Sequence, residues 1–268
     1  MNLACVQSAV EGGAVSNNVD RAIDRVREAA ANGADLVVLP ELFDVGYFAF
    51  DAYDRAAEGL RGPRLERFAD VAADAGVAVL AGTIVEDLAA SAADGVDVPA
   101  DEGLANTAVL FDAAGERRLV YRKHHLFGYG SEETDRMVPG ERVPVVEVDG
   151  VRIGVTTCYD LRFPELYRGM VDDGVECVLV PSAWPYPRVE HWRTLGRARA
   201  IESLAYVATV NGSGRFGDDA LCGRTSVYDP WGTTLASSGE EPTTVTADID
   251  PARVTAVRTE FPALRDRR

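Results

Sequence analysis

Three polar side chains stand directly after strand-like apolar runs: Glu41 after LVVLP, Lys123 after LVYR and Cys158 after RIGVTT. A carboxylate, an ammonium and a thiol are the parts needed for acyl transfer. The base takes the thiol proton, sulfur attacks a carbonyl carbon, and a cation steadies the oxyanion. Cys158 is the sharpest of the three. The strand before it and a helix expected over 163–171 make a strand-to-helix turn that presents the sulfur. Tyr159, Asp160 and Arg162 follow at once and supply polar surroundings. A helix amino end and a nearby lysine are expected to lower the thiol pKa, and the N–H of Tyr159 is a donor available to an oxyanion. Glu41 lies between Leu-Pro and Leu-Phe, where apolar neighbours raise a carboxyl pKa toward the range of a general base. Cys5, Cys177 and Cys222 read instead as buried structural thiols.

Lys123 is the one lysine in the chain; the other 26 of the 27 basic residues are arginine. A single retained ammonium among guanidiniums points to a place that needs a compact charge. Against 43 acidic residues the net charge is −16, which argues against nucleic acid and anionic membrane surfaces as partners and suits a salt-rich cytoplasm. The three histidines (124, 125 and 191) have no zinc-site spacing, and Gly212-x-Gly214 lacks the third glycine of a dinucleotide loop, so neither a metal nor another cofactor is expected. Four cysteines without C-x-x-C spacing, a Met1 that leads straight into a strand, and no apolar run of about 20 residues imply a reducing, cytoplasmic setting.

Strand-like runs alternate with helical periodicity, the pattern of an α/β protein. Strand one is expected over 3–6. A helix capped by Ser16 and stopped by Gly33 follows, then a strand over 36–39, a helix from Pro63 to Gly76 and a strand over 77–81. Residues 87–103 read as an acidic surface loop. Hairpins are expected around 112–115 and at Asp149-Gly150, so the sheet is mixed. GADLVVLPE (33–41) echoes GVECVLVPS (174–182), which suggests two related halves.

The chain resembles the carbon–nitrogen hydrolase (nitrilase) superfamily over nearly its full length. LPELF (39–43), YRKHHLF (121–127) and TTCYDLRFPEL (156–166) resemble the family's glutamate, lysine and cysteine motifs, in order. The segments 191–215 and 227–241 match two more. The resemblance implies a single domain over 1–268 folded as a four-layer α-β-β-α sandwich. It also implies a homodimer or higher homo-oligomer formed through the cysteine-side surface, with the tail at about 250–268 at that interface. It implies a catalytic triad of Glu41, Lys123 and Cys158 that cleaves a non-peptide C–N bond through a thioester and releases ammonia. A second pocket glutamate stands six residues before a Pro-Gly in the family; Glu133 holds that relation to Pro139-Gly140, with Glu132 the alternative.

KHHLFGYGSEE and SAWPYPRVEHW are closest to the omega-amidase-like branch, whose substrates are dicarboxylate monoamides such as 2-oxoglutaramate. Ser203-Leu204 departs from the Asn-Gln of many relatives. N-carbamoyl amidohydrolase, general aliphatic amidase or nitrilase activity, and a catalytically inactive binding member of the fold, are the alternatives. Phe43, Phe127 and Trp184 are candidate pocket walls. Arg162 and Arg188 are candidate partners for a substrate carboxylate, although Arg162 could instead tie down its own turn through Glu165 or Asp160.

Overall fold

The computed structural model describes residues 1–267. Its strands are β1 (Asn2–Gln7), β2 (Leu36–Val38), β3 (Ala78–Asp87), β4 (Leu104–Phe111), β5 (Arg117–Arg122), β6 (Val145–Val148), β7 (Val151–Val155), β8 (Cys177–Ser182), β9 (Tyr206–Asn211), β10 (Ser213–Phe216), β11 (Asp219–Cys222), β12 (Ser226–Tyr228), β13 (Thr234–Ser237) and β14 (Thr243–Asp248). Two mixed six-stranded sheets form, in the orders β14-β1-β2-β3-β4-β5 and β13-β12-β9-β8-β7-β6, and β10 and β11 make a separate hairpin.

Side chains alternate faces along each strand, and the sequence uses both faces for burial. Leu3 and Cys5 of β1 and Val38 of β2 meet Ile153, Val155 and Leu179 of the second sheet in a core between the sheets. The alternate residues Ala4, Val6 and Val37 point the other way, against Val19, Ile23 and Phe68 of the helices Val15–Ala31 and Pro63–Ala75. On the far side Val178, Val180 and Val207 pack on Tyr167, Met170 and Trp192, from the helices Pro164–Asp172 and Val189–Ser203. Three cores between four layers give the α-β-β-α sandwich. Among the described residues no helix is long and apolar enough to cross a membrane.

Local expectations differ from the structure in two places. The first helix begins at Val15 with Ala14 at its N-cap and no side-chain cap, so Ser16 lies inside the first turn instead of capping it. Within the acidic segment 87–103, Leu88–Ala93 is a helix whose Asp87 cap accepts from the Ala90 N–H at 3.0 Å. Its alanines favour a helix by propensity, but six residues are too few to show a period. The β6–β7 turn at Asp149-Gly150 has φ of 48° and 76°, as a type I′ hairpin requires.

Two glycines fix the backbone near the strand ends. β3 bulges between Ala81 and Ile84, and a Cβ on Gly82 would stand 1.8 Å from the Leu39 carbonyl oxygen, so only glycine lets the chain leading to Glu41 pass. A Cβ on Gly140 would meet the Arg122 carbonyl oxygen at 2.1 Å; its N–H donates to the Lys123 carbonyl at 2.9 Å.

Candidate active site

Glu41, Lys123 and Cys158 come from the ends of β2, β5 and β7, in different sheets, and the sandwich brings them together. Lys123 Nζ donates to Glu41 Oε1 at 2.8 Å and to both oxygens of Glu133 at 2.9 Å, with all three side chains buried. The second glutamate is thus Glu133; Glu132 turns outward to pair with Arg136. Glu41 Oε2 accepts the Ala183 N–H at 2.8 Å, and the carboxylate's charge acts directly on the Cys158 thiol. Burial on its own would lower the Lys123 pKa, but the carboxylates of Glu133 and Glu41 more than offset it and hold the ammonium well above its ordinary value. Burial raises Glu41, and Lys123 opposes that rise only in part.

Cys158 has φ +48°, a left-handed backbone that a non-glycine residue adopts only when its surroundings enforce it, and it opens the short 3₁₀ turn Cys158–Arg162. The enforcing group is Asp160. Its Oδ2 accepts the Tyr121 hydroxyl at 2.6 Å and the Thr157 N–H at 3.0 Å, while Oδ1 accepts the N–H of His125 at 2.8 Å and its ring Nδ1–H at 2.9 Å. One carboxylate therefore ties the cysteine turn to β5 and to the chain just after Lys123. The turn does not lower the thiol pKa as expected. Burial first, and then the charge of Glu41, push the Cys158 thiol well above its ordinary value, and Lys123 offsets only part. The reason is that the lysine is already neutralised by two carboxylates. At neutral pH the resting group is a thiol that needs a base.

A small cavity of about 30 Å³, open to solvent, is lined by Cys158 and walled by Tyr47, Phe48, Phe127, Tyr159 and Trp184. Phe127 and Trp184 lie where the motifs suggested. Phe43 does not: it is buried behind the first sheet, edge-on to Phe68 at 5.1 Å between centroids. Arg162 and Arg188 both line the cavity. Arg162 pairs with neither Glu165 nor Asp160; it donates to His191 Nδ1 at 3.1 Å and stacks 4.9 Å above the Trp184 ring. Arg188 lies 5.5 Å from the Phe127 ring. Neither guanidinium has a carboxylate within ion-pair distance among the described residues. Tyr47, whose hydroxyl donates to Glu133 Oε2 at 3.2 Å, and Asn106, which donates to Glu41 and Glu133, were missed by sequence reasoning because neither sits at a strand end or in a quoted motif. The other three cysteines are free and buried away from the cavity.

Known proteins share this architecture. The Carbon-nitrogen hydrolase family model matches residues 2–259. A 2-oxoglutaramate amidase of Paenarthrobacter nicotinovorans is 35% identical over 92% of this chain and 83% of its own length. Omega-amidase NIT2 of Homo sapiens is 31% identical over 94% and 90%. Among solved structures, Nit3 of Saccharomyces cerevisiae, a member of branch 10 of the nitrilase superfamily, superposes with a TM-score of 0.88 at 26% identity, covering 100% of this chain and 96% of that one. A mutant of the amidase from Nesterenkonia sp. AN1 carries the acetamide moiety of fluoroacetamide on its active-site cysteine; it superposes at TM-score 0.80 and 29% identity, covering 100% and 94%. With a family match over almost the whole chain and a buried Glu–Lys–Cys cluster at the meeting of its two sheets, the chain belongs to the carbon–nitrogen hydrolase family.

Proposed function

We propose that the protein is a thiol-dependent amidase of omega-amidase type, cleaving the amide of a small dicarboxylate monoamide and releasing ammonia. The observation that carries the reaction is the buried Glu41 carboxylate, bonded to the Lys123 ammonium at 2.8 Å and close enough to the Cys158 thiol for its charge to act on it. Glu41 takes the thiol proton as Sγ attacks the amide carbon. The tetrahedral oxyanion is held by Lys123 Nζ and by the Tyr159 N–H, which lies in the first turn after Cys158 and so has no intrahelical partner. Glu41 returns the proton to the departing nitrogen, the C–N bond breaks and a thioester remains. Water, deprotonated by Glu41, then releases the acid and the thiol is restored. Glu133 keeps the ammonium fixed and charged throughout.

The substrate class follows from the two cavity arginines. Both stand in a strongly acidic protein without an acidic partner, over aromatic faces; apart from the one N–H that Arg162 gives to His191, their N–H groups are open to a carboxylate. The 2-oxoglutaramate amidase and the omega-amidase among its relatives agree with that chemistry. Ammonia release should be measured across omega-amide acids, uncharged amides of equal length, nitriles and N-carbamoyl compounds. Arg162→Ala or Arg188→Ala should cost roughly 2–4 kcal/mol in kcat/KM on the charged amide and spare the uncharged one. Equal losses on both would point to a general aliphatic amidase.

The active form is taken to be a homodimer or higher homo-oligomer in the cytoplasm. Trp231 and Phe261 stand exposed with rings 5.7 Å apart, and Gly232 packs against the exposed Ile201 of the helix Val189–Ser203, on the cysteine-bearing sheet's outer side. Four free cysteines suit a reducing compartment. Light scattering on the purified protein gives the assembly size.

A further inference from the structure

Asn106 sits within β4 with its side chain fully buried. Its Nδ2 donates to Glu41 Oε1 and to Glu133 Oε1, each at 2.8 Å. Lys123 Nζ holds the same two oxygens at 2.8 and 2.9 Å. Two donors and two acceptors thus close a ring. The backbone sets their spacing, because the Lys123 N–H donates to the Asn106 carbonyl at 2.9 Å.

The charge count explains why an amide stands there. Two carboxylates against one ammonium leave an excess negative charge where water does not reach. A primary amide offers both its N–H groups to the two anions and adds no charge of its own. Turned the other way, its oxygen would face two carboxylate oxygens. The present orientation leaves the buried Asn106 Oδ1 with no partner among the described residues, which shows where the requirement lies. An oxygen that accepts from two donors has both lone-pair directions filled, so Glu41 Oε1 is closed by Lys123 and Asn106. Oε2 accepts only the Ala183 N–H at 2.8 Å among the described residues, so it is the oxygen with a lone pair left to take a proton.

We propose that Asn106 is a positioning residue for the general base: by filling Oε1 beside Lys123, it keeps Glu41 ionised and directs Oε2 alone at Cys158. This rests on the reading of Glu41 as the base. Asn106 does not line the cavity, so the amide's KM should stay unchanged when it is replaced.

Asn106→Leu keeps the volume and removes both donors; Asn106→Ser keeps one. Two pH profiles decide the matter: kcat/KM for an omega-amide acid, and the rate at which iodoacetamide alkylates Cys158, followed by peptide mass. The second needs no substrate. Lost donors disfavour the carboxylate, so the acid limb should move up by about one pH unit in the Leu variant and less in the Ser variant. At pH values well below the wild-type acid midpoint the Leu variant should then be slowed about tenfold relative to wild type, with most of the rate regained above the midpoints of both. A loss by the same factor at every pH, with the wild-type acid midpoint in both variants, overturns the proposal. If the Leu variant does not fold, the Ser variant decides by the same shift. Should wild-type protein release no ammonia from any amide, the amidase reading fails, and the alkylation profile still tests Asn106.

Discussion

The two sheets repeat one pattern. Taken as β14-β1-β2-β3-β4-β5 and β6-β7-β8-β9-β12-β13, each has an antiparallel pair, two parallel pairs and two antiparallel pairs in the same order. In this correspondence β1 matches β7, β2 matches β8 and β5 matches β13. The ends of β7, β2 and β5 carry Cys158, Glu41 and Lys123. The matching ends of β1, β8 and β13 carry Gln7, Ser182 and Ser238, all neutral. Two of these form a satisfied network: Gln7 Oε1 accepts from the Thr225 N–H at 3.0 Å and from Ser238 Oγ at 2.9 Å, and its Nε2 donates to the Gly239 and Glu241 carbonyls at 3.0 and 2.7 Å, while the Ser182 hydroxyl donates to the Val180 carbonyl of its own strand at 3.2 Å. One topology thus brings strand ends together twice, three reactive side chains at one place and Gln7 with Ser238 at the other. The difference is that one set is charged and buried, with a raised thiol and a raised carboxyl held next to each other, whereas the other has every hydrogen bond made and nothing left to react.

From this contrast the largest effect belongs to Cys158→Ala, which should reduce ammonia release roughly 10⁴-fold with an unchanged melting temperature, since no other cysteine lines the cavity. Retention of a tenth of wild-type turnover would remove Cys158 from the mechanism. Next, Lys123→Arg should lose roughly 10²- to 10³-fold, nearly as much as Lys123→Ala, although charge is kept. A planar guanidinium cannot fill a site cut to an ammonium held by three carboxylate oxygens within 2.9 Å. Steady-state kinetics close to wild type would show that any cation suffices.

The pH profile gives a smaller, graded effect. Burial raises Glu41, so its protonated form persists to higher pH than in water, and a protonated carboxyl cannot accept the thiol proton. Activity should therefore fall as pH drops through that raised value, placing the acid midpoint of kcat/KM above the ordinary glutamate value of about 4.3. A midpoint at or below it contradicts the burial account. The smallest catalytic effect is expected on the neutral side: Gln7→Ala should cost about 1–3 kcal/mol of stability by denaturant melting and leave kcat per folded molecule almost unchanged. A collapse of kcat in that variant would mean that the two convergences are not separable.

Much of this was legible in the residues. The alternation of strands and helices, the echo of 33–41 in 174–182 and the hairpin at Asp149-Gly150 are local signals, because burial on both faces and a two-residue turn each leave a mark within ten residues. The echo is now explained: its two members are β2 and β8, equivalent strands of the two sheets. Glu41, Lys123 and Cys158 stood out because each is a reactive type set after an apolar run. Phe43 misled because an aromatic five residues past a strand end can fall on either side of the sheet, and here it joins Phe68 in the outer layer.

What the sequence determined by itself, then, is which residues are able to react and which strands deliver them, since side-chain chemistry and strand periodicity are properties of short segments. Only the tertiary structure decided the protonation state of the thiol, the choice of Glu133 over Glu132, the part of Asn106 in the carboxylate ring and the clamp of Asp160 on the cysteine turn. Each of these depends on groups ten or more positions apart meeting in a buried site, and the electrostatic balance of such a meeting is set by distance and burial, neither of which is written in the spacing of residues along a chain.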